Sequence, residues 1–150
     1  MAASPPPEHG SASAWLRQLQ PRPPVAELGP LQLAWLGDAV WELHQRQARC
    51  VAPQPTGMLH RAVVQTVHAE AQARALERLE PLLCEGEREL VRRGRNRAGR
   101  GPRRGEAATY GRATGFETML GWLFLQNPQR LAELLDHLDE TESPPPPARP

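Results

Sequence analysis

Two acidic residues stand in helix-forming sequence that is otherwise apolar. In LQLAWLGDAVWEL (31–43) Asp38 directly follows Gly37, and in ATGFETMLGWLFL (113–125) Glu117 lies four residues before Gly121. At helical spacing Leu31, Trp35, Asp38 and Trp41 share one face, which the pattern predicts to be buried. An ionised carboxylate in such surroundings costs several kcal/mol unless it is paired, hydrogen-bonded or bound to a metal. Gly37 and Gly121 each let a neighbouring backbone approach the acid beside them. Two carboxylates on two helices can converge on one hard cation, and Mg²⁺ is typically held by one or two protein carboxylates, with waters and substrate phosphates completing its shell. The plainer alternative is a pair of boundary residues, or acids paired to arginine at the edge of the core. Glu42, four residues after Asp38, is either a further oxygen near that site or an ion-pair partner for Arg46.

The second chemical feature is cationic. Residues 92–104, RRGRNRAGRGPRR, hold seven arginines and no acid, in a chain whose net charge is only +1 and which contains no lysine. Guanidinium groups fit phosphate oxygens in pairs, and such a patch repels itself unless anions neutralise it. Taken alone it indicates a polyanion, or else a merely solvated loop. His44, His60 and His68 share no ligand spacing and take no catalytic role here, and Trp35, Trp41 and Trp122 are predicted to lie in the core.

The elements that must position these groups are helices. Isoleucine is absent and no apolar/polar alternation persists, so strands are not expected. A first helix opens at Pro30, a favoured first-turn residue, and runs to about Cys50. A second is capped by Thr56 and carries Leu59, Val63 and Val67 on one side; it bends or restarts near His68 and continues to Pro81. A short acidic helix from Glu85 is predicted to stop at Gly94, where an irregular arginine loop begins. A strong helix follows from about Ala108 to Gln126, and a last one after Asn127-Pro128. The fold class is therefore all-α.

The Pro-rich ends, residues 1–24 and 141–150, have little to bury and read as disordered segments, leaving one domain over 25–140. No apolar run is long enough to span a bilayer, and the N-terminus lacks a signal pattern. Cys50 and Cys84 lie in no metal-ligand spacing and read as reduced, which points to the cytoplasm.

Three motifs in order carry a family resemblance. LAWLGDAVWEL (33–43) resembles the signature helix of ribonuclease III domains, GFETMLGWLFL (115–125) is similar to their second catalytic helix, and LVRRGRNR (90–97) resembles the hallmark of the Mini-ribonuclease III branch. The resemblance runs from about Leu31 to Leu138. It implies a homodimeric all-α endonuclease that cleaves double-stranded RNA to give 5′-phosphate ends and matures 23S ribosomal RNA precursors. It also implies Mg²⁺, with Mn²⁺ as a substitute, held by Asp38 and Glu117 as the catalytic pair. RNA would be gripped by Arg92, Arg93, Arg95, Asn96, Arg97, Arg100, Arg103 and Arg104, with Thr114 in support. The two further carboxylates of full-length ribonuclease III would fall on Ala34 and Thr114, a loss that the Mini-III branch shares. Two readings of other classes compete: a non-catalytic double-stranded-RNA-binding helical module, and a helical domain whose basic loop docks on acidic proteins.

Overall fold

In a computed structural model, the structure describes residues 11–22, 28–99 and 104–142. Six α-helices carry the fold: α1 (Pro30–Arg49), α2 (Thr56–Val67), α3 (Ala69–Leu79), α4 (Glu85–Arg97), α5 (Arg104–Gln126) and α6 (Pro128–Thr141). No strand occurs among the described residues, and none of their helices is long and apolar enough to cross a membrane.

Helix α5 is the axis on which the others lie. It touches α1, α3, α4 and α6, and Phe116, Met119, Leu120 and Leu123 on it are almost wholly buried. A helix apolar on most sides must be surrounded. Around it pack Val40 and Trp41 of α1, Leu76 and Leu79 of α3, Leu90 and Val91 of α4, and Leu131, Leu135 and Leu138 of α6. Trp41 stands edge-on to Phe116, with ring centroids 5.2 Å apart. His44 of α1 is fully buried and its Nε2 lies 3.0 Å from Asp139 Oδ1 of α6.

Local signals set the helix ends. Pro30 and Pro128 occupy first-turn positions, where the missing N–H leaves no gap in the hydrogen bonding, and the Asn127 side chain accepts from the Arg130 N–H at 3.1 Å. The predicted restart at His68 is a full break between α2 and α3, capped by the His68 side chain. Thr56 is the first residue of α2, after Pro55 at the capping position.

Three expectations need correction. Helix α4 passes through Gly94 and ends at Arg97, because Gly94 is where α4 crosses α5: a Cβ there would lie 2.8 Å from the Gly115 Cα. Glycine here serves close packing rather than a helix stop. Helix α5 begins at Arg104, a turn earlier than its apolar pattern shows. The N-terminal stretch is folded in part: residues Ala14–Gln18 form a 3₁₀ turn, Leu16 enters the core with no exposed surface, and the Arg22 N–H donates to the Leu125 carbonyl at 2.8 Å. Arg17 pairs with Asp136 at 2.6 Å, and Ser11 and Ser13 donate to the same carboxylate. Most of the predicted C-terminal segment, 143–150, lies outside the described residues.

One ion pair ties α4 to α6. Glu87 is buried and accepts from Arg130 Nε at 2.7 Å and from the Cys84 N–H at 2.9 Å. Burial alone would raise its pKa, but these donors outweigh burial and hold it below its ordinary value of 4.5. A lowered folded-state pKa stabilises the protein above the unfolded value, and that stability is lost as pH falls through the folded value. Arg130→Ala should therefore cost about 1.5–3 kcal/mol at pH 7 in urea melts. The deficit should shrink as the pH is taken below the Glu range, and equal stability at pH 7 would contradict this account.

Candidate active site

The candidate site begins with a contact between backbones. A Cβ on Gly37 of α1 would overlap the Glu117 carbonyl oxygen of α5 and lie 2.9 Å from the Gly121 nitrogen. Reciprocally, a Cβ on Gly121 would overlap the Leu33 carbonyl oxygen of α1. Each helix presents a glycine to the other's main chain, so the axes approach as closely as backbones allow. Asp38, next to Gly37, and Glu117, whose own carbonyl meets Gly37, are thereby brought together.

The consequence is electrostatic. Glu117 is partly buried, and its pKa is pushed up to about 7. Loss of hydration is the largest cause; the Gln72 amide opposes it, while the charge and hydrogen bonding of Asp38 add to it. Asp38 itself is exposed, which corrects the predicted buried stripe. The face of α1 that meets the core is Leu33, Ala34, Gly37, Val40, Trp41 and His44, and Asp38 stands at its margin with open solvent on one side. Of the predicted core tryptophans only Trp41 is buried; Trp35 is 80% exposed and Trp122 37%. Glu42 pairs with Arg46, as one of its two predicted roles had it.

Gln72 is the neighbour that sequence reasoning misses. It is 1% exposed on α3, and its Nε2 donates to the Val67 carbonyl at 3.1 Å. A signal was available, since Gln72 precedes Leu76 by one turn on the apolar stripe of α3 and is as misplaced there as Glu117 is on α5. Thr114 is not brought to the carboxylates in the predicted way: it is buried, and its hydroxyl donates to the Tyr110 carbonyl at 2.9 Å. Among the described residues no third His, Cys, Asp or Glu joins the pair to form a cluster able to hold a metal.

The arginines lie on another element. Arg92, Arg93, Arg95, Asn96 and Arg97 are exposed on the last turns of α4, which corrects the predicted loop. Arg92 is partly neutralised by Glu89, which it meets at 2.7 Å and 2.8 Å. Arg93, Arg95 and Arg97 have no ion-pair partner among the described residues. Arg92, Arg95 and Asn96 form one wall of a cleft floored by Ala107, Ala108 and Gly111 of α5. That floor begins about 9 Å along the helix axis from Glu117, at 1.5 Å per residue. Arg100 and Arg103 lie outside the described residues, and of Arg104 only its place at the start of α5 is described.

Comparison with known proteins bears on this arrangement directly. The family model described as Ribonuclease III domain matches residues 31–128, a span that holds both carboxylates and all of α4. The chain belongs to the ribonuclease III family. Its relatives place it in the Mini-ribonuclease 3 branch. It is 48% identical over 126 residues to the Mini-ribonuclease 3 of a Synechococcus species, covering 84% of this chain and 91% of that one. It is 44% identical over 133 residues to the Mini-ribonuclease 3 of a Synechocystis species, covering 87% and 93%. A crystal structure of a Fusobacterium nucleatum protein shares the fold, with a TM-score of 0.65 at 24% identity over 78% of this chain and 93% of that one.

The chain is accordingly an endoribonuclease, and the α1–α5 contact is the feature of its candidate site most open to test. Gly37→Ala should force the two helices apart, at about 1–3 kcal/mol for overpacking. Parting the carboxylates should also lower cleavage about 10²-fold, the scale of effect expected of an ångström-level displacement. Gly57→Ala has open space around the new methyl group and should change neither melting nor cleavage. Unimpaired cleavage by Gly37→Ala would contradict the assignment.

Proposed function

We propose that this ribonuclease cleaves double-stranded RNA with Asp38 and Glu117 as its catalytic, cation-holding pair. The observation that carries the reading is the carboxylate pair itself, with Glu117 half-buried against Asp38 and its pKa raised to about 7. Such a pair is at odds with itself until a cation joins it. The donors suit Mg²⁺: they are hard oxygens, only two in number, and Asp38 opens to solvent, where waters and a phosphate would complete the shell. Mn²⁺ suits the same oxygens. When bound, the cation supplies charge neutralisation at a phosphodiester and acidifies water. Because Glu117 must give up its proton to bind, cation affinity should rise with pH through about 7.

The chain's own groups do the remainder. Arg93, Arg95 and Arg97 on α4, together with Arg92 and Asn96 at the cleft, hold phosphates of the duplex; Arg100, Arg103 and Arg104 extend the grip. Recognition by backbone and shape follows from A-form geometry, whose narrow major groove hides the bases from side chains. A second copy of the chain covers the outward face of α1 and α2, where Leu31, Trp35, Leu43, Met58 and Val64 stand exposed. Asp38 follows Trp35 by one turn, so a homodimer formed there borders the carboxylate pair. The biological substrate in this reading is precursor 23S ribosomal RNA in the cytoplasm, and the catalytic domain extends beyond the expected 25–140 to take in Leu16 of the N-terminal turn.

The test is cleavage of a long RNA duplex in Mg²⁺ and in chelator, with end-group analysis. Wild type should yield fragments with 5′-phosphate and 3′-hydroxyl ends in Mg²⁺ alone. Asp38→Asn and Glu117→Gln should remain folded and lose more than about 10²-fold in rate, since a ligand charge outweighs the contacts that orient it. Cleavage in chelator, or by either folded variant at the wild-type rate, would overturn the proposal.

A further inference from the structure

The break between α2 and α3 has a use beyond turning the chain. In a continuous helix the Ala71 N–H would bond to the Val67 carbonyl, four residues earlier. Here it is taken by His68 Nδ1 at 3.2 Å, because His68 is extended at φ −73°, ψ 161° and caps α3. The Val67 carbonyl is released, and Gln72 Nε2 donates to it at 3.1 Å. One residue earlier, the Thr66 carbonyl accepts from Trp41 Nε1 at 2.8 Å, which ties this end of α2 to α1. The Gln72 amide is thus anchored to the end of α2, itself tied to the helix that carries Asp38, while α3 packs against the helix that carries Glu117.

A primary amide has two N–H groups. One of those on Gln72 is fixed by Val67, which leaves the other free to reach Glu117 on α5, the helix against which α3 packs. Burying this amide on an otherwise apolar stripe has a desolvation cost that leucine would avoid. The bond to Val67 accounts for one N–H group and leaves the second to be placed.

We propose that Gln72 is a positioning residue, which divides its amide N–H groups between the Val67 carbonyl and Glu117 and so aims the Glu117 carboxylate at Asp38. This rests on the reading of Asp38 and Glu117 as the cation-holding pair. Gln72 touches neither RNA nor the reacting atoms; it acts through Glu117. Without it the carboxylate keeps its charge and its place on α5 but gains rotational freedom, and a cation site built on two protein ligands is sensitive to the aim of each.

The experiment compares wild type with Gln72→Leu, Gln72→Met and Asp38→Asn. It records thermal melts, Mn²⁺ binding without RNA by electron paramagnetic resonance, and kcat and KM on a long RNA duplex. The Gln72 variants should melt cooperatively. Their Mn²⁺ affinity and kcat should each fall about 10–100-fold, the range found when a group that orients a metal ligand is removed. KM for RNA should be nearly unchanged, since the arginine surface is untouched. Wild-type Mn²⁺ affinity and kcat in both Gln72 variants, alongside an inactive Asp38→Asn, would overturn the role of Gln72 and leave the carboxylate pair standing. A rise in KM with kcat intact would also overturn it. Loss of cooperative melting in both variants would make Gln72 a folding residue and end the assignment. Full activity in Asp38→Asn would instead remove the carboxylate reading, and the role of Gln72 with it.

Discussion

The close approach of α1 and α5 is the constraint on which the rest of the structure depends. Gly37 and Gly121 each leave room for the other helix's backbone, at Glu117 and Leu33 respectively. No side chain can stand in that space, so the two helices hold one register and one separation. That register puts Asp38 beside Glu117. The arrangement has an electrostatic cost: a carboxyl group whose folded-state pKa is raised above its unfolded value lowers stability as pH rises between the two. A protein selected for stability alone would place a neutral residue there.

Helix α5 repeats the device on its other flank. Gly94 of α4 and Gly115 of α5 cross closely, each leaving too little room for a Cβ on the other helix's side. One glycine contact therefore sets the carboxylates and a second sets the arginine-bearing end of α4, both measured from the same helix. The buried Glu87–Arg130 pair then fixes α4 against α6. Under the proposed function, charge for binding and charge for chemistry would stand on separate helices with a common rigid reference, so that phosphate contacts on α4 would lie at a constant distance from Asp38 and Glu117.

Much of this was legible in the order of residues. Helical periodicity without strand alternation gave an all-α chain, and Asn127-Pro128 marked the start of α6. An acid within about one turn of a glycine in each of two apolar helices pointed to the pair that the fold brings together. What stayed hidden depends on contacts between distant segments. Gly94 looks like a helix end because the Thr118 and Gly115 that demand it are more than twenty residues away. Leu16 sits in Pro- and Ser-rich sequence, and only its docking beneath α5 and α6 makes it core. Trp35 and Leu31 share a spacing with Trp41 yet face outward, since a helix with two apolar faces does not reveal which one its own chain covers. Gln72 shows its role only when the α2–α3 break and Glu117 are seen together.

The most direct test of the account is the titration of the Glu117 carboxyl, followed by ¹³C NMR in the metal-free protein. The structure places its midpoint near 7, well above the ordinary 4.5. Asp38→Asn should lower that midpoint by removing the neighbouring charge, whereas Gln72→Leu should raise it by removing an N–H that faces the anion. A midpoint near the ordinary value, unmoved by either substitution, would show that α1 and α5 do not hold the two carboxylates together and would contradict the account at its root.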